Sequence, residues 1–147
     1  MSSDLITPPP SLAAQPERLL AGLAGLRDPQ ARFAWAVERA RRRPLLPEAL
    51  RIDANRVEGC LVRLWFVPEF ADGRCWFRTD SDALTLKAMT GLVCELHDGT
   101  SPAEIVARGP DPLDPLGLLR QLAENRRATV LRVAGRVREF AARHVGR

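Results

Sequence analysis

The sequence contains no tyrosine, a single lysine at position 87 and two histidines among its 147 residues. It also lacks any apolar run close to the roughly 18 residues that a membrane-spanning helix needs. The N-terminal stretch MSSDLITPPPSLAAQ has neither the basic region nor the apolar region of a secretory leader. We therefore expect a cytoplasmic protein with no membrane association.

Familiar enzyme signatures are missing as well. The chain has no C-x-x-C pair, no Gly-rich phosphate loop, no H-E-x-x-H and no G-x-S-x-G. Because the histidines are His97 and His144, spacing alone assigns no catalytic cysteine-histidine pair. The sequence thus shows no self-contained catalytic constellation.

Positive charge is mostly arginine. The formal net charge is +4 and the pI is about 9.7. A nucleic-acid surface needs clustered cations with stacking aromatic residues beside them. The only dense cluster is ERARRR, residues 38–43, and the chain has no tyrosine. We predict a solvated helix end at this cluster and no nucleic-acid partner.

The chain length suits one domain with its own hydrophobic core. Residues 1–14, which include TPPPS, are typical of a flexible lead-in, and residues 15–147 are predicted to form a single domain. Two N-terminal helices are expected, over 16–23 and from a cap at Asp28 through Arg43. The segment RPLLPEALRIDAN carries two prolines and is expected to be irregular.

An antiparallel hairpin is predicted next. An apolar run covers 61–66, an Asp-Gly turn signal follows, and CWFRT resumes a strand pattern. The rest of the chain carries helix start signals at Asp80 or Ser81, at Ser101, at Asp114 and at Asn125. The predicted fold class is α+β, with N-terminal helices, a small antiparallel sheet and a helical C-terminal half.

The three cysteines are unevenly spaced in a domain large enough to fold without cross-links, so reduced thiols are expected. Cys75 and Cys94 lie within apolar strand and helix patterns, which favours buried packing. Cys94 and His97 stand three residues apart on one predicted helix, so a metal pair is the alternative for them. Such a metal would need further ligands from elsewhere in the chain.

Cys60 differs because of its position in RVEGCLVRLW, residues 56–65. Gly59 lets the backbone turn sharply, and the predicted strand begins directly after the cysteine, so the thiol is expected at a loop-to-strand junction. A sulfur there can be presented to a partner or withdrawn against Leu61 and Leu64. The alternative is an inert small hydrophobe, because most unpaired cysteines are of that kind.

Four motifs occur in order between about Arg32 and Phe140: VEGC with Trp65 five residues on, SDALTLKAM, HDGTSPAEIV and LGLLRQLAENR. In this order they resemble the SufE family of sulfur-acceptor proteins, partners of cysteine desulfurases in iron-sulfur cluster assembly. The resemblance implies a SufE/IscU-like fold. The family commonly has a Gln-Ser pair directly after the cysteine, where this chain has Leu61-Val62.

The resemblance implies that Cys60 is a persulfide acceptor. In the family, the cysteine at this turn takes sulfane sulfur from a PLP-dependent desulfurase and relays it toward an iron-sulfur scaffold. The chain itself is then expected to bind no cofactor and no metal, and to be an accessory protein rather than a stand-alone enzyme. The expected supporting residues are Gly59, Ser81, Asp82 and Arg126.

Several alternatives stay open at this point. Ser81 and Asp82 are helix caps, supports of the cysteine loop or contacts for the partner, and Arg126 or Arg63 is expected to place positive charge near the thiol. Two rival functions also stay open. One is a docking or regulatory module that alters a desulfurase without taking sulfur, and the other is an IscU-like metal scaffold.

Overall fold

The computed structural model describes residues 15–109 and 113–146, so the predicted lead-in lies outside the described residues. The predicted α+β class is confirmed, with helices before and after one two-stranded antiparallel sheet. The helices and strands are α1 Gln15–Ala24, α2 Pro29–Arg42, β1 Leu64–Ala71, β2 Arg74–Ser81, α3 Leu84–His97, α4 Pro102–Ala107 and α5 Glu124–His144. No helix in this part of the chain has the length and apolar character that crossing a membrane requires.

The β1–β2 hairpin forms as predicted but begins later than the apolar run suggested. Its register runs from Leu64 opposite Ser81 to Ala71 opposite Arg74. Asp72 and Gly73 close it with φ angles of 55° and 75°, the positive values that a tight hairpin turn needs. Residues 61–63 stay outside the strand because the ladder ends where Leu64 lies opposite Ser81, the last residue of β2.

Helix α3 is the centre of the core. All its residues from 86 to 94 are buried, and it packs against β2, α2, α5 and α1. The aromatic side chains extend this core, since Phe77 stacks on Phe66 and meets the edge of Phe140, each with 5.9 Å between ring centroids. Burying a side chain such as Phe66 contributes about 1.5–3 kcal/mol to the stability of the fold.

Two of the predicted helix starts are wrong. Helix α3 begins after Ala83 and α5 begins after Ala123, and neither cap residue makes a side-chain capping bond. Asp80 and Ser81 are instead the last residues of β2, and Asn125 lies inside α5. Side chains that accept hydrogen bonds at a cap can serve other backbone groups equally well, so the residue type alone did not fix the start.

Asp80 shows what such a side chain does when tertiary structure supplies other partners. Its carboxylate is buried and accepts hydrogen bonds from the backbone N–H groups of Leu46 and Ser81, both at 2.8 Å. The ammonium of Lys87 lies 3.7 Å from the same carboxylate. The only lysine of the chain therefore belongs to an internal ion pair that joins β2 to α3.

Of the three remaining predicted helix starts, two are right and the third begins a different kind of helix. Asp28 and Ser101 cap α2 and α4 with their side chains, accepting from the N–H groups of Gln30 and Glu104. The segment that begins at Asp114 forms two short 3₁₀ helices, Asp114–Leu116 and Leu119–Gln121, rather than one helix. Gly117, which adopts a left-handed φ of 68°, separates them.

The arginine cluster at 38–43 is not simply a solvated helix end. Arg39 forms an ion pair with Glu95 of α3 at 2.6 Å, and Arg43 pairs with the other oxygen of the same carboxylate. The expectation of a fully solvated cluster is wrong because α2 packs along α3 and places these two positions beside an acidic residue.

Candidate functional site

The candidate site is a short loop, residues 58–63, which we call the cysteine loop. Its two ends meet where the Val57 N–H donates to the Leu64 carbonyl at 2.9 Å. Both of these residues are buried, with exposed fractions of 2% and 0%. The loop is therefore closed at its base by a backbone hydrogen bond and anchored in the core on both sides.

Ser81 and Asp82 hold the C-terminal end of this loop. The carbonyl of Arg63 accepts from the Ser81 hydroxyl at 2.7 Å and from the Asp82 N–H at 3.2 Å. The Asp82 carboxylate also binds the Arg63 guanidinium at 2.6 Å and that of Arg51 at 3.3 Å. Of the alternatives left open by the sequence, these contacts favour support of the loop over helix capping.

Cys60 is half-buried, and the residues around it divide between core and solvent. Its side chain and that of Val62 pack against the core, whereas Leu61 between them is 88% exposed. Gly59 adopts a φ of 85°, the left-handed conformation in which a side chain is strained. The loop thus turns at Gly59, directs the thiol toward the protein body and exposes an apolar tip.

The charged group beside the thiol is Arg132. Its Nη1 lies 4.0 Å from the Cys60 Sγ, although the two residues are 72 positions apart in the sequence. Sequence reasoning missed this residue because it lies on an exposed position of α5, outside the buried stripe that contains Val130 and Val133. No local motif links the two residues; only the packing of α5 brings them together.

The two cations expected at the thiol have other partners. The Arg126 guanidinium donates to the hydroxyl of Thr85, and Arg63 binds Asp82 as described. Arg126 still belongs to the site, because it borders a cavity of about 200 Å³ next to the cysteine loop. The other residues that line this cavity are Gly59, Leu61, Val62, Leu86, Asn125 and Thr129.

The other two cysteines are buried, as predicted. Cys75 has no exposed surface and Cys94 has 3%. Burial raises the pKa of the Cys75 thiol to about 11. The pKa of Cys94 is also well above its ordinary value, first through burial and then through Asp98 and Glu95, although the nearby Arg43 acts in the opposite direction. Both thiols are therefore poor nucleophiles near neutral pH, because the thiolate is the reactive form.

His97 forms a buried contact with an arginine. Its Nδ1 lies 2.9 Å from Arg108 Nη1. Burial, followed by the charges of Arg108 and Arg138, lowers the pKa of His97 to about 4, so its imidazole is neutral at pH 7. Over residues 15–109 and 113–146, no three His, Cys, Asp or Glu side chains come together as a metal site. The convergence of thiols and His97 that a scaffold would need is not found there.

Comparison with known proteins agrees with this architecture. A model of the Fe-S metabolism associated domain, SufE, matches residues 17–141. The chain belongs to the SufE family. A SufE-like protein of Synechocystis is 30% identical over 120 residues, which cover 82% of this chain and 73% of that protein. The sulfur acceptor protein CsdE of Escherichia coli is 32% identical over 85 residues, 56% of this chain and 58% of CsdE.

Two further proteins are similar to this chain, one over a small part of its own length and one in its fold. The chloroplastic quinolinate synthase of Arabidopsis thaliana is 31% identical over 103 residues, but this chain spans only 14% of that protein's length. The solution structure of a hypothetical protein from Thermus thermophilus superposes with a TM-score of 0.72 at 19% identity. The match covers 91% of this chain and 98% of the Thermus chain, so the two share a fold over nearly their whole lengths.

Proposed function

We propose that this protein is a sulfur acceptor that carries sulfane sulfur on Cys60, from the persulfide of a cysteine desulfurase toward iron-sulfur cluster assembly. The SufE domain and the similarity to the sulfur acceptor CsdE support this role. The observation that carries it is the contrast among the thiols. Cys60 is half-buried on a loop beside a guanidinium, whereas Cys75 and Cys94 lie in the core.

The proposed transfer is a thiol-exchange step with balanced chemistry. The Cys60 thiolate attacks the terminal sulfur of the desulfurase persulfide, a new S–S bond forms on Cys60, and the desulfurase cysteine leaves as a thiolate. One neutral sulfur atom moves and no external oxidant or reductant is consumed. In the delivery step, a nucleophile of the next acceptor attacks the terminal sulfur on Cys60 and releases the Cys60 thiolate.

The exposed tip of the loop supports docking on a partner. Leu61 is 88% exposed directly beside the nucleophile, so its apolar side chain is available for contact with a partner. The cavity behind it is lined by Leu61 and Val62 themselves. A desulfurase that binds Leu61 would draw the loop away from this cavity and expose Cys60, and we expect docking of this kind to stimulate the desulfurase.

Mass spectrometry tests the acceptor role. The intact protein is incubated with cysteine and the PLP-containing desulfurase of its own cell, and the mass is then compared among wild type, Cys60→Ser, Cys75→Ala and Cys94→Ala. We expect a gain of about 32 Da, one sulfur atom, in every protein except Cys60→Ser. A gain that persists in Cys60→Ser would show that another thiol is the acceptor.

Desulfurase kinetics in the same samples separate the carrier from a docking module. A carrier accelerates cysteine turnover by removing sulfur from the desulfurase, so Cys60→Ser is expected to abolish the stimulation. Full stimulation by Cys60→Ser, together with no mass gain in the wild type, would instead establish a regulatory module. Leu61→Ser is expected to weaken stimulation while leaving Cys60 chemically competent, because it removes only the apolar docking contact.

A further inference from the structure

Gly59 has a second role besides the turn that it forms. A Cβ atom built at this position would lie 3.1 Å from Arg132 Nη1 and 3.3 Å from its Cζ. The guanidinium therefore occupies the space that the missing side chain leaves and lies against the residue that precedes the nucleophile. The backbone turn at Gly59 and the guanidinium of Arg132 therefore lie in direct contact.

Other arginines of α5 near the loop have their own partners. Arg126 donates to Thr85, and the Arg136 guanidinium lies over the ring of Phe66 at 5.6 Å. Arg132 lies between them on the helix, and its guanidinium extends to the Cys60 sulfur. A guanidinium remains protonated at every physiological pH, so this charge is always present beside the thiol.

We propose that Arg132 is a catalytic residue of this chain that stabilises negative charge on the Cys60 sulfur. The charge is that of the thiolate before transfer and of the persulfide anion afterwards. A persulfide adds one S–S bond of about 2 Å, less than the 4.0 Å between Sγ and Nη1, so the terminal sulfur can also approach the guanidinium. Arg132 keeps its proton throughout and forms no covalent bond. This inference rests on the proposed sulfur transfer and deepens it.

Alkylation of Cys60 tests the inference without any desulfurase. The rate of iodoacetamide modification of the Cys60 peptide is followed from pH 6 to pH 10 in wild type, Arg132→Gln and Arg132→Lys. We expect Arg132→Gln to react roughly threefold more slowly at pH 7, the size of effect that a solvent-accessible charge pair provides. Its alkylation profile is expected to move to higher pH, and Arg132→Lys is expected to restore most of the rate.

Arg143→Gln is the matched control, because it removes the same charge from an exposed position of the same helix. Position 143 lies 11 residues further along α5, about 16 Å along its axis. We expect this variant to follow the wild-type profile. An unchanged profile in Arg132→Gln, or an equal shift in Arg143→Gln, would overturn the assignment of Arg132.

A second reagent distinguishes local charge from altered access to the loop. Iodoacetate is an anion, so loss of Arg132 is expected to slow it more than iodoacetamide and to lower the ratio of the two rates. An equal slowing of both reagents would contradict a charge effect. Because these rates require no sulfur donor, they report on Arg132 even if the mass measurement shows that Cys60 accepts no sulfur.

Discussion

The cysteine loop and the α3 core hold thiols of one chain in opposite surroundings. In the loop, Cys60 is half-buried, an apolar tip is 88% exposed and a guanidinium lies 4.0 Å from the sulfur. In the core, Cys75 and Cys94 are almost completely enclosed and the pKa of each is raised. Burial suppresses the thiolate of Cys75 and Cys94, whereas Cys60 is only half-buried and lies beside an arginine.

The two regions also differ in what holds them in place. The core depends on apolar packing around α3 together with buried polar contacts such as the Asp80–Lys87 pair. The loop depends on a few hydrogen bonds at its ends, from Val57, Ser81 and Asp82, and on the partial burial of Cys60 and Val62. A segment held mainly at its ends can move without disturbing the core, which suits a thiol that must meet two different partners.

The largest expected effect is a difference in labelling of the three thiols. Iodoacetamide at pH 7.5 is expected to modify Cys60 at least a hundredfold faster than Cys75. Burial raises the pKa of Cys75 from 9.0 to about 11, which lowers its own thiolate fraction about a hundredfold. Peptide mapping during a time course measures the ratio, and labelling in denaturant, where all three thiols should react similarly, is the control. Similar labelling rates for Cys60 and Cys75 in the folded protein would contradict the difference between the loop and the core.

The second-largest expected effect is a pH dependence of stability caused by His97 in the core. The pKa of His97 in the folded protein, about 4, lies below its unfolded value of 6.5. A neutral buried His97 therefore contributes stability that is fully present above pH 6.5 and is lost as the pH falls toward 4. We expect the contribution of His97 to the free energy of unfolding to fall by about 3 kcal/mol over this range. Burial raises the pKa of the neighbouring Asp98 to about 8, so Asp98 adds stability as the pH falls, and the His97 contribution is measured as the difference between wild type and His97→Gln.

Urea unfolding at a series of pH values measures this dependence. In His97→Gln the loss attributed to protonation is expected to disappear, since glutamine stays neutral and can still accept from Arg108. His144→Gln, which removes the other histidine, is expected to retain the wild-type dependence. If His97→Gln kept the full wild-type slope between pH 6.5 and pH 4, the assignment to His97 would be wrong.

Two glycines allow the loop to be perturbed with a matched control. Gly59→Ala and Gly73→Ala both place a side chain on a left-handed backbone, with φ of 85° and 75°. Each is expected to lower the free energy of unfolding by about 1–2 kcal/mol. A Cβ at position 73 has no atom within 4 Å, whereas at position 59 it meets Arg132. Only Gly59→Ala should therefore slow Cys60 alkylation, and slowing in both variants would exclude the specific contact.

The smallest expected effect is at the end of the loop. Asp82→Asn weakens the ion pairs with Arg63 and Arg51, and because these groups are partly exposed we expect a loss of about 0.5 kcal/mol. Amide hydrogen exchange in residues 58–63 should become faster while exchange in α3 stays unchanged. Asp72→Asn, at the opposite end of the hairpin, is the control for the loss of one negative charge. Faster exchange in α3 would mean that loop and core are coupled.

Much of the fold could be predicted from local sequence because local physical rules decide it. The Asp72-Gly73 turn demands positive φ angles, which glycine and aspartate tolerate, and it fixed the hairpin. Asp28 and Ser101 formed their caps as predicted. The predicted caps at Asp80 and Ser81 failed because these residues end β2, where their side chains bind the backbone of Leu46 and Arg63. The predicted cap at Asn125 failed because α5 begins one residue earlier, at Glu124.

The candidate site could be predicted only in part. The unusual position of Cys60 after Gly59 was visible in the sequence, as was the apolar burial of Cys75 and Cys94. The roles of the arginines were not, because a guanidinium on a long side chain reaches whatever acceptor the packing of distant elements offers. Arg126 and Arg63 therefore bind Thr85 and Asp82.

The sequence by itself determined the α+β class, the hairpin, the buried thiols and the position of Cys60 at a turn. These features follow from turn chemistry and apolar periodicity, which act over a few neighbouring residues. The tertiary structure alone decided that Arg132 is the cation beside the Cys60 sulfur and that Ser81 and Asp82 anchor the cysteine loop. The physical reason is that such contacts depend on how α5 and β2 pack beside the loop, and no local pattern encodes that distance.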